Sequence, residues 1–237
     1  MKFKIKKNVL LDALSSVSRA ISNKNIIPIL SGIKFELFED RLVLTASDND
    51  ITIQSIINAN DDMEIINIGS IVIKGKYILD IIRKLEDEFI NIELFDDHRV
   101  MIYTLNSEFS LNGIEVNEYP RIDLNHSDDV VTMSVNNLRS MILQTNYATS
   151  TDEARVVLTG VNIKVNGTLL ECSATDSYRL VLKKINLSSN FDRSVDIIIP
   201  SKNLNELFKI LPSDFDGMVN MYIYNNKIMF GFGNILF

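Results

Sequence analysis

With 237 residues, 46% of them hydrophobic and 23% charged, the chain can bury a sizeable core and has the length of one large domain or two ordinary ones. That composition excludes a short disulfide-stapled peptide and an intrinsically disordered chain. A net charge of -7, from 24 Lys plus Arg against 31 Asp plus Glu, excludes a wholly basic nucleic-acid coat or a polybasic membrane binder, so any contact with DNA has to be local.

The opening MKFKIKKNVLLDALSSV has a basic head and leucines, but Asp12, Ser15 and Ser16 interrupt the apolar stretch that a signal peptide requires. No window approaches the roughly 18 apolar residues of a membrane span. A soluble, cytoplasmic protein is expected. Leu10, Leu14, Val17 and Ile21 recur at helical spacing, as do Ile78, Ile81, Ile82 and Leu85, then Leu138, Met141 and Ile142, then Leu204, Leu207, Phe208 and Leu211. Four helices follow. Leu42, Leu44 and Ala46, then Ile90, Ile92 and Leu94, then Val100, Ile102 and Thr104 alternate as strands with one buried face. The separators EDR, DDH and NNK read as hairpin turns, so the sheets should be largely antiparallel and the class α+β. The single cysteine, Cys172, cannot form an internal disulfide and sits in the strand-like run LLECSA, which suits a reducing compartment.

Residues 3–57, moved forward by 128 positions, fall without a gap on 131–185. Identities include Asn8/Asn136, Leu30/Leu158, Gly32/Gly160, Leu42/Leu170 and Asp48/Asp176, and the apolar phase agrees, with Ile33, Phe35 and Leu37 on Val161, Ile163 and Val165. An offset of 126 then places KYILDIIRKL on NLNELFKIL. Two similar domains are expected, 1–124 and 125–237. The second repeat stops before an equivalent of the NGIEVNEYPRI segment, which suggests a fragment of a longer protein. The helical segments are more positive than the rest: +3 over 6–24, +3 over 74–84, 0 over 136–155 and +1 over 201–209. A cationic helical surface for DNA would give that excess, and so would ordinary solvated helix faces.

No chemistry is apparent. His98 and His126 have no ligand spacing around them, Asp48 with Asp50 and Asp152 with Glu153 lack the partners of a metal or acid/base site, and no phosphate-cradling glycine loop occurs. No catalytic residue, metal or cofactor is expected.

The opening MKF, the helix LLDALSSVSRAI, the PILSGI turn-and-strand, the LTASDND run and the RVVLTGVNI…ATDSYRL pair closely resemble the bacterial DNA polymerase III beta subunit family, the replicative sliding clamps. The resemblance covers essentially the whole chain. It implies a DNA-clamp fold of repeated domains, each with two helices on antiparallel sheets, in which three domains form a crescent and two crescents close head to tail into a ring around double-stranded DNA. A third clamp domain is absent from this chain. The implied role is that of a non-catalytic processivity factor, a full-length homodimer gripping duplex DNA without regard to sequence. Its partners would be the DNA polymerase III alpha subunit, the clamp loader and repair polymerases, held through linear motifs. The competing reading is a nonenzymatic peptide-binding adaptor that never encircles DNA.

Carried over position by position, the resemblance puts DNA contacts at Lys24, Lys76, Arg83, Arg139, Lys202 and Lys209. The acidic pair Asp152–Glu153 stands in the inner-face loop of the second domain. Arg155, Leu158, Thr175, Ser177, Tyr178, Arg179 and Leu180 fall on the second-domain side of the hydrophobic partner cleft, with Ser177–Tyr178 where the family commonly has Gly-His. Strand leucines are usually core, so Leu158 and Leu180 could equally be buried structure. Phe109 matches the aromatic residue at the ring-closing edge, and alternation leaves open whether it or Ser110 points outward.

Overall fold

The computed structural model describes residues 1–22, 27–48, 50–96, 98–213 and 216–237. They form two compact units, Met1–Leu124 joined by Asn234–Phe237, and Asn125–Gly233.

The first unit opens with strand β1 (Lys2–Lys6), whose Phe3 and Ile5 point into the core between outward lysines, and runs directly into helix α1 (Lys7–Val17). Leu10, Ala13, Leu14 and Val17 are the buried stripe of α1. The helix ends earlier than the apolar spacing suggests: a 3-10 turn over Ser18–Ala20 follows, and Ile21 has extended backbone (φ -88°, ψ 117°). The spacing persists because Ile21 still packs inward, so close to Gly75 that a Cβ there would lie 2.2 Å from its Cδ1.

Strands β2 (Gly32–Leu37), β3 (Arg41–Ser47), β4 (Thr52–Asn58), β5 (Met63–Asn67) and β6 (Gly69–Lys74) follow, then helix α2 (Gly75–Lys84) and strands β7 (Phe89–Leu94), β8 (Arg99–Tyr103) and β9 (Glu108–Asn112). One antiparallel sheet has the order β5-β1-β7-β8-β9 and another contains β4-β3-β2-β6. The turn after β2 closes with Phe38 N–H donating to Arg41 O at 2.8 Å, and the turn after β7 with Phe95 N–H donating to Arg99 O at 2.9 Å. Helix α1 packs on α2 and on the inner face of β4, burying Leu10, Leu14, Ile53, Ile78 and Ile82.

The second unit repeats this plan with strand β10 (Val130–Ser134), helix α3 (Val135–Thr145), strands β11 (Gly160–Thr175) and β12 (Leu180–Pro200), helix α4 (Ser201–Ile210), and strands β13 (Met218–Ile223) and β14 (Ile228–Phe232). At the offset of 128, β1 and α1 coincide with β10 and α3 to the residue, and at 126 α2 coincides with α4. Strands β11 and β12 pair along their length, with register shifts around Gly167, whose φ of +62° suits glycine. Here α3 is capped by Ser134, whose hydroxyl accepts from Asn137 N at 3.1 Å. The last strand, β15 (Ile235–Leu236), pairs antiparallel with β4 in the first unit, Ile235 opposite Ser55. No helix among the described residues is long and apolar enough to cross a membrane.

Candidate partner cleft and cationic helix faces

The β11–β12 connection is a four-residue loop, Asp176–Arg179, built around one carboxylate. Asp176 Oδ1 accepts from Tyr178 N (3.0 Å) and Arg179 N (3.1 Å), and its Oδ2 accepts from Arg179 Nε (2.9 Å). The backbone N–H of Tyr178, offset in part by desolvation and then reinforced by that of Arg179 and by the guanidinium, holds the Asp176 carboxyl below the usual carboxylate range. Thr175 Oγ1 accepts from Ser177 N (3.1 Å) and donates to Arg179 O (2.7 Å). These bonds force Ser177 to φ +79°, in the left-handed region where a side chain is strained. That strain gives a physical reason for the glycine the resemblance places at this position.

Two neighbours brace the loop. The Arg179 guanidinium donates from Nη2 to Tyr147 O at 2.7 Å and lies 5.3 Å over the Tyr147 ring. Arg155, in a non-helical kink (φ -119°, ψ 66°) of the 3-10 segment Glu153–Thr159, donates from Nη1 to Ser177 Oγ at 3.1 Å. Arg179 is occupied on two sides, whereas Arg155 has this one bond and no carboxylate within ion-pair distance among the described residues. Leu158 O accepts from Ser150 N at 2.8 Å, tying the ends of the intervening loop.

Beside this frame the surface is apolar. Tyr178 is 98% exposed and Leu180 73%, with Leu182 exposed on the same face two residues on. With that exposure Leu180 is no core residue, whereas Leu158 is half-buried. Val156, 72% exposed, and Val157 add apolar surface on the segment that carries Arg155 and were missed from sequence, although their place between Arg155 and Leu158 was a usable signal. An apolar patch with a guanidinium at its border can seat a short extended peptide with apolar anchors.

The expected DNA contacts fare unequally. Lys24 lies outside the described residues. Lys76 and Arg83 are exposed on α2, opposite buried Ile78 and Ile82. Arg139 is half-buried, donating from Nη1 to Leu211 O at 2.6 Å with its guanidinium 4.5 Å over the Phe208 ring. Lys209 Nζ donates to Glu206 Oε1 at 2.6 Å. Lys202 is exposed on α4. Phe109 pairs with Ile102 across β8–β9 and so shares the face of that fully buried residue, yet at the sheet edge it remains 39% exposed.

The acidic pairs build turns. Asp48 Oδ1 accepts from Asp50 N and Ile51 N (2.7 and 2.8 Å), and Asp152 Oδ1 from Ala154 N (3.0 Å). No group of three or more His, Cys, Asp or Glu side chains converges as a metal site among the described residues.

A duplicated α+β unit with two helices on antiparallel sheets, here carrying exposed apolar side chains beside the β11–β12 loop, defines the sliding-clamp fold. Residues 1–123 match the family model for the N-terminal domain of the DNA polymerase III beta subunit, and residues 132–237 the model for its central domain. The chain belongs to the DNA polymerase III beta subunit family. It is 39% identical to the beta sliding clamp of Bacillus subtilis and 37% to that of Staphylococcus epidermidis, each over 241 aligned residues and all of this chain. The solved sliding clamp of Bacillus subtilis superposes with a TM-score of 0.95 at 37% identity, covering 100% of this chain and 63% of that one. The beta chain of Streptococcus pneumoniae gives 0.93 at 31%, covering 99% and 63%. The chain spans 63–64% of the length of these curated relatives.

Proposed function

We propose that residues 1–124 and 125–237 are the first two of three clamp domains, and that the complete protein is a homodimeric ring that encircles double-stranded DNA and tethers its polymerase. The observation that carries this reading is the match to solved sliding clamps over the whole chain, with the apolar row of Tyr178 and Leu180 left exposed beside Arg155. In such a ring the protein performs no bond chemistry. Processivity comes from topology, and DNA contact has to stay weak and independent of sequence so that the ring can slide.

Short linear motifs of the DNA polymerase III alpha subunit, the clamp loader and repair polymerases would lay apolar side chains against Leu158, Leu180 and Tyr178, framed by Arg155 and Arg179, with Thr175 and Ser177 holding the loop. Phe109 would sit at the ring-closing edge. The site of action is the cytoplasm. Primer extension on a long single-stranded template tests this: with a loader and polymerase, the full-length protein should lengthen the products of single binding events, and Leu180→Ala should shorten them. Products of equal length with and without the protein would favour a peptide-binding adaptor.

A further inference from the structure

The repeat allows the helix faces of the two units to be compared position by position, and they differ in charge. At the offsets of 128 and 126, Lys7, Arg19 and Lys84 of the first unit are replaced by Val135, Tyr147 and Ile210 in the second. Two exchanges run the other way, Leu11 to Arg139 and Asp12 to Ser140, which leaves the second face one charge less positive.

Side-chain engagement widens the gap. On α2, Lys76, Arg83 and Lys84 are exposed, and none has an ion pair or hydrogen bond among the described residues, although Asp80 stands three positions before Arg83. The same spacing on α4 gives the Glu206–Lys209 ion pair. Arg139 is spent on the Leu211 carbonyl and the Phe208 ring, as Lys7 in the first unit is spent on the equivalent Leu85 carbonyl, so the difference between the units lies on α2 and α4. The outer face of α3 and the turn after it instead expose Leu143 (66%) and Tyr147 (58%), where the first unit has Ser15 and Arg19. A phosphate chain gains from unengaged cations and nothing from exposed leucine.

We infer that the electrostatic grip on duplex DNA is carried by the helix face of the first unit, through Lys76, Arg83 and Lys84 on α2, and that the equivalent face of the second unit contributes little. The inference rests on the clamp reading. It departs from the set of contacts that the resemblance implies, which includes Lys202, Lys209 and Arg139.

The test compares equivalent pairs. A labelled duplex oligonucleotide is titrated with the parent, Lys76→Gln/Arg83→Gln and Lys202→Gln/Lys209→Gln across a salt series, with circular dichroism confirming that each variant is folded. Each phosphate contact contributes about 0.9 to the slope of log affinity against log salt. The first pair should lower the slope by about 1.8, and the second by less than half as much. Glu206→Gln, which releases Lys209, should tighten binding. Equal losses for the two pairs, or a larger loss for the second, overturn the asymmetry and leave the clamp reading standing. A parent with no salt-dependent duplex binding overturns the DNA-facing assignment itself.

Discussion

Arg155 and Ser177, 22 positions apart, meet through one 3.1 Å hydrogen bond between residues that both lie outside regular backbone geometry, at φ -119°, ψ 66° and at φ +79°. The Glu153–Thr159 segment and the β11–β12 loop are thus held to each other by the strained residue of one and the kinked residue of the other. Arg155 is thereby kept beside the exposed apolar side chains, with one guanidinium hydrogen bond among the described residues.

Ser177→Gly should raise stability. A left-handed residue with a side chain costs about 1–2 kcal/mol, partly offset by the greater unfolded-state entropy of glycine, for a net gain of about 0.5–1 kcal/mol. Thermal unfolding should shift upward by about 1–4 °C. A lower midpoint would mean that the Arg155 bond outweighs the strain.

Leu180 and Leu170 separate surface from core on one hairpin. Leu170 is fully buried, so Leu170→Ala should cost about 2–5 kcal/mol in urea unfolding, whereas Leu180→Ala should cost under about 1 kcal/mol. Leu180→Ala should still weaken a peptide carrying a glutamine and spaced leucine and phenylalanine anchors. In the parent, amide shifts on titrating that peptide should cluster over 175–182; clustering elsewhere would move the cleft.

The loop should be acid-sensitive in a defined direction. Asp176 has a depressed folded-state pKa, chiefly through the Tyr178 N–H, so its contribution is complete above the unfolded value of about 3.9 and is lost as pH falls through the lower folded value. Carboxyl shifts followed by NMR should show Asp176 titrating below the unpaired aspartates, with the Tyr178 and Arg179 amides moving at the same midpoint. A midpoint at or above the ordinary aspartate range would contradict the geometry.

Burial pushes the Cys172 thiol up to about 12, so at pH 8 it should resist a thiol reagent in the folded protein and react fully in denaturant. Rapid labelling of the native protein would show that β11 opens readily.

What could be read from the sequence was what local periodicity encodes. The phases of Leu10/Leu14/Val17 and Leu204/Leu207 locate three buried turns of helix because an amphipathic stripe is a local signal, and the duplication doubled each reading. Ile21 kept the spacing without the helix, since a residue can stay on the buried side after the backbone has turned. Leu180 had a core-like pattern because alternation reports which residues share a face and says nothing of what covers that face. The engagement of Arg139 with Leu211 and Phe208 depends on residues about 70 positions away, which no local pattern encodes. The unequal positions of Lys209 and Arg83 in otherwise equivalent helices were hidden for a related reason: both have an acidic residue three positions before them, and only one pair closes.

Retention on DNA of different topology is the most direct measurement of the central claim. The full-length protein, loaded onto nicked circular DNA and passed over a sizing column, should co-elute with the circle and be released once a single cut linearises it. Phe109→Ala should shorten the retention time on the uncut circle by weakening ring closure. Equal retention on circular and linear DNA, or none on either, would contradict the account of the protein as an encircling clamp.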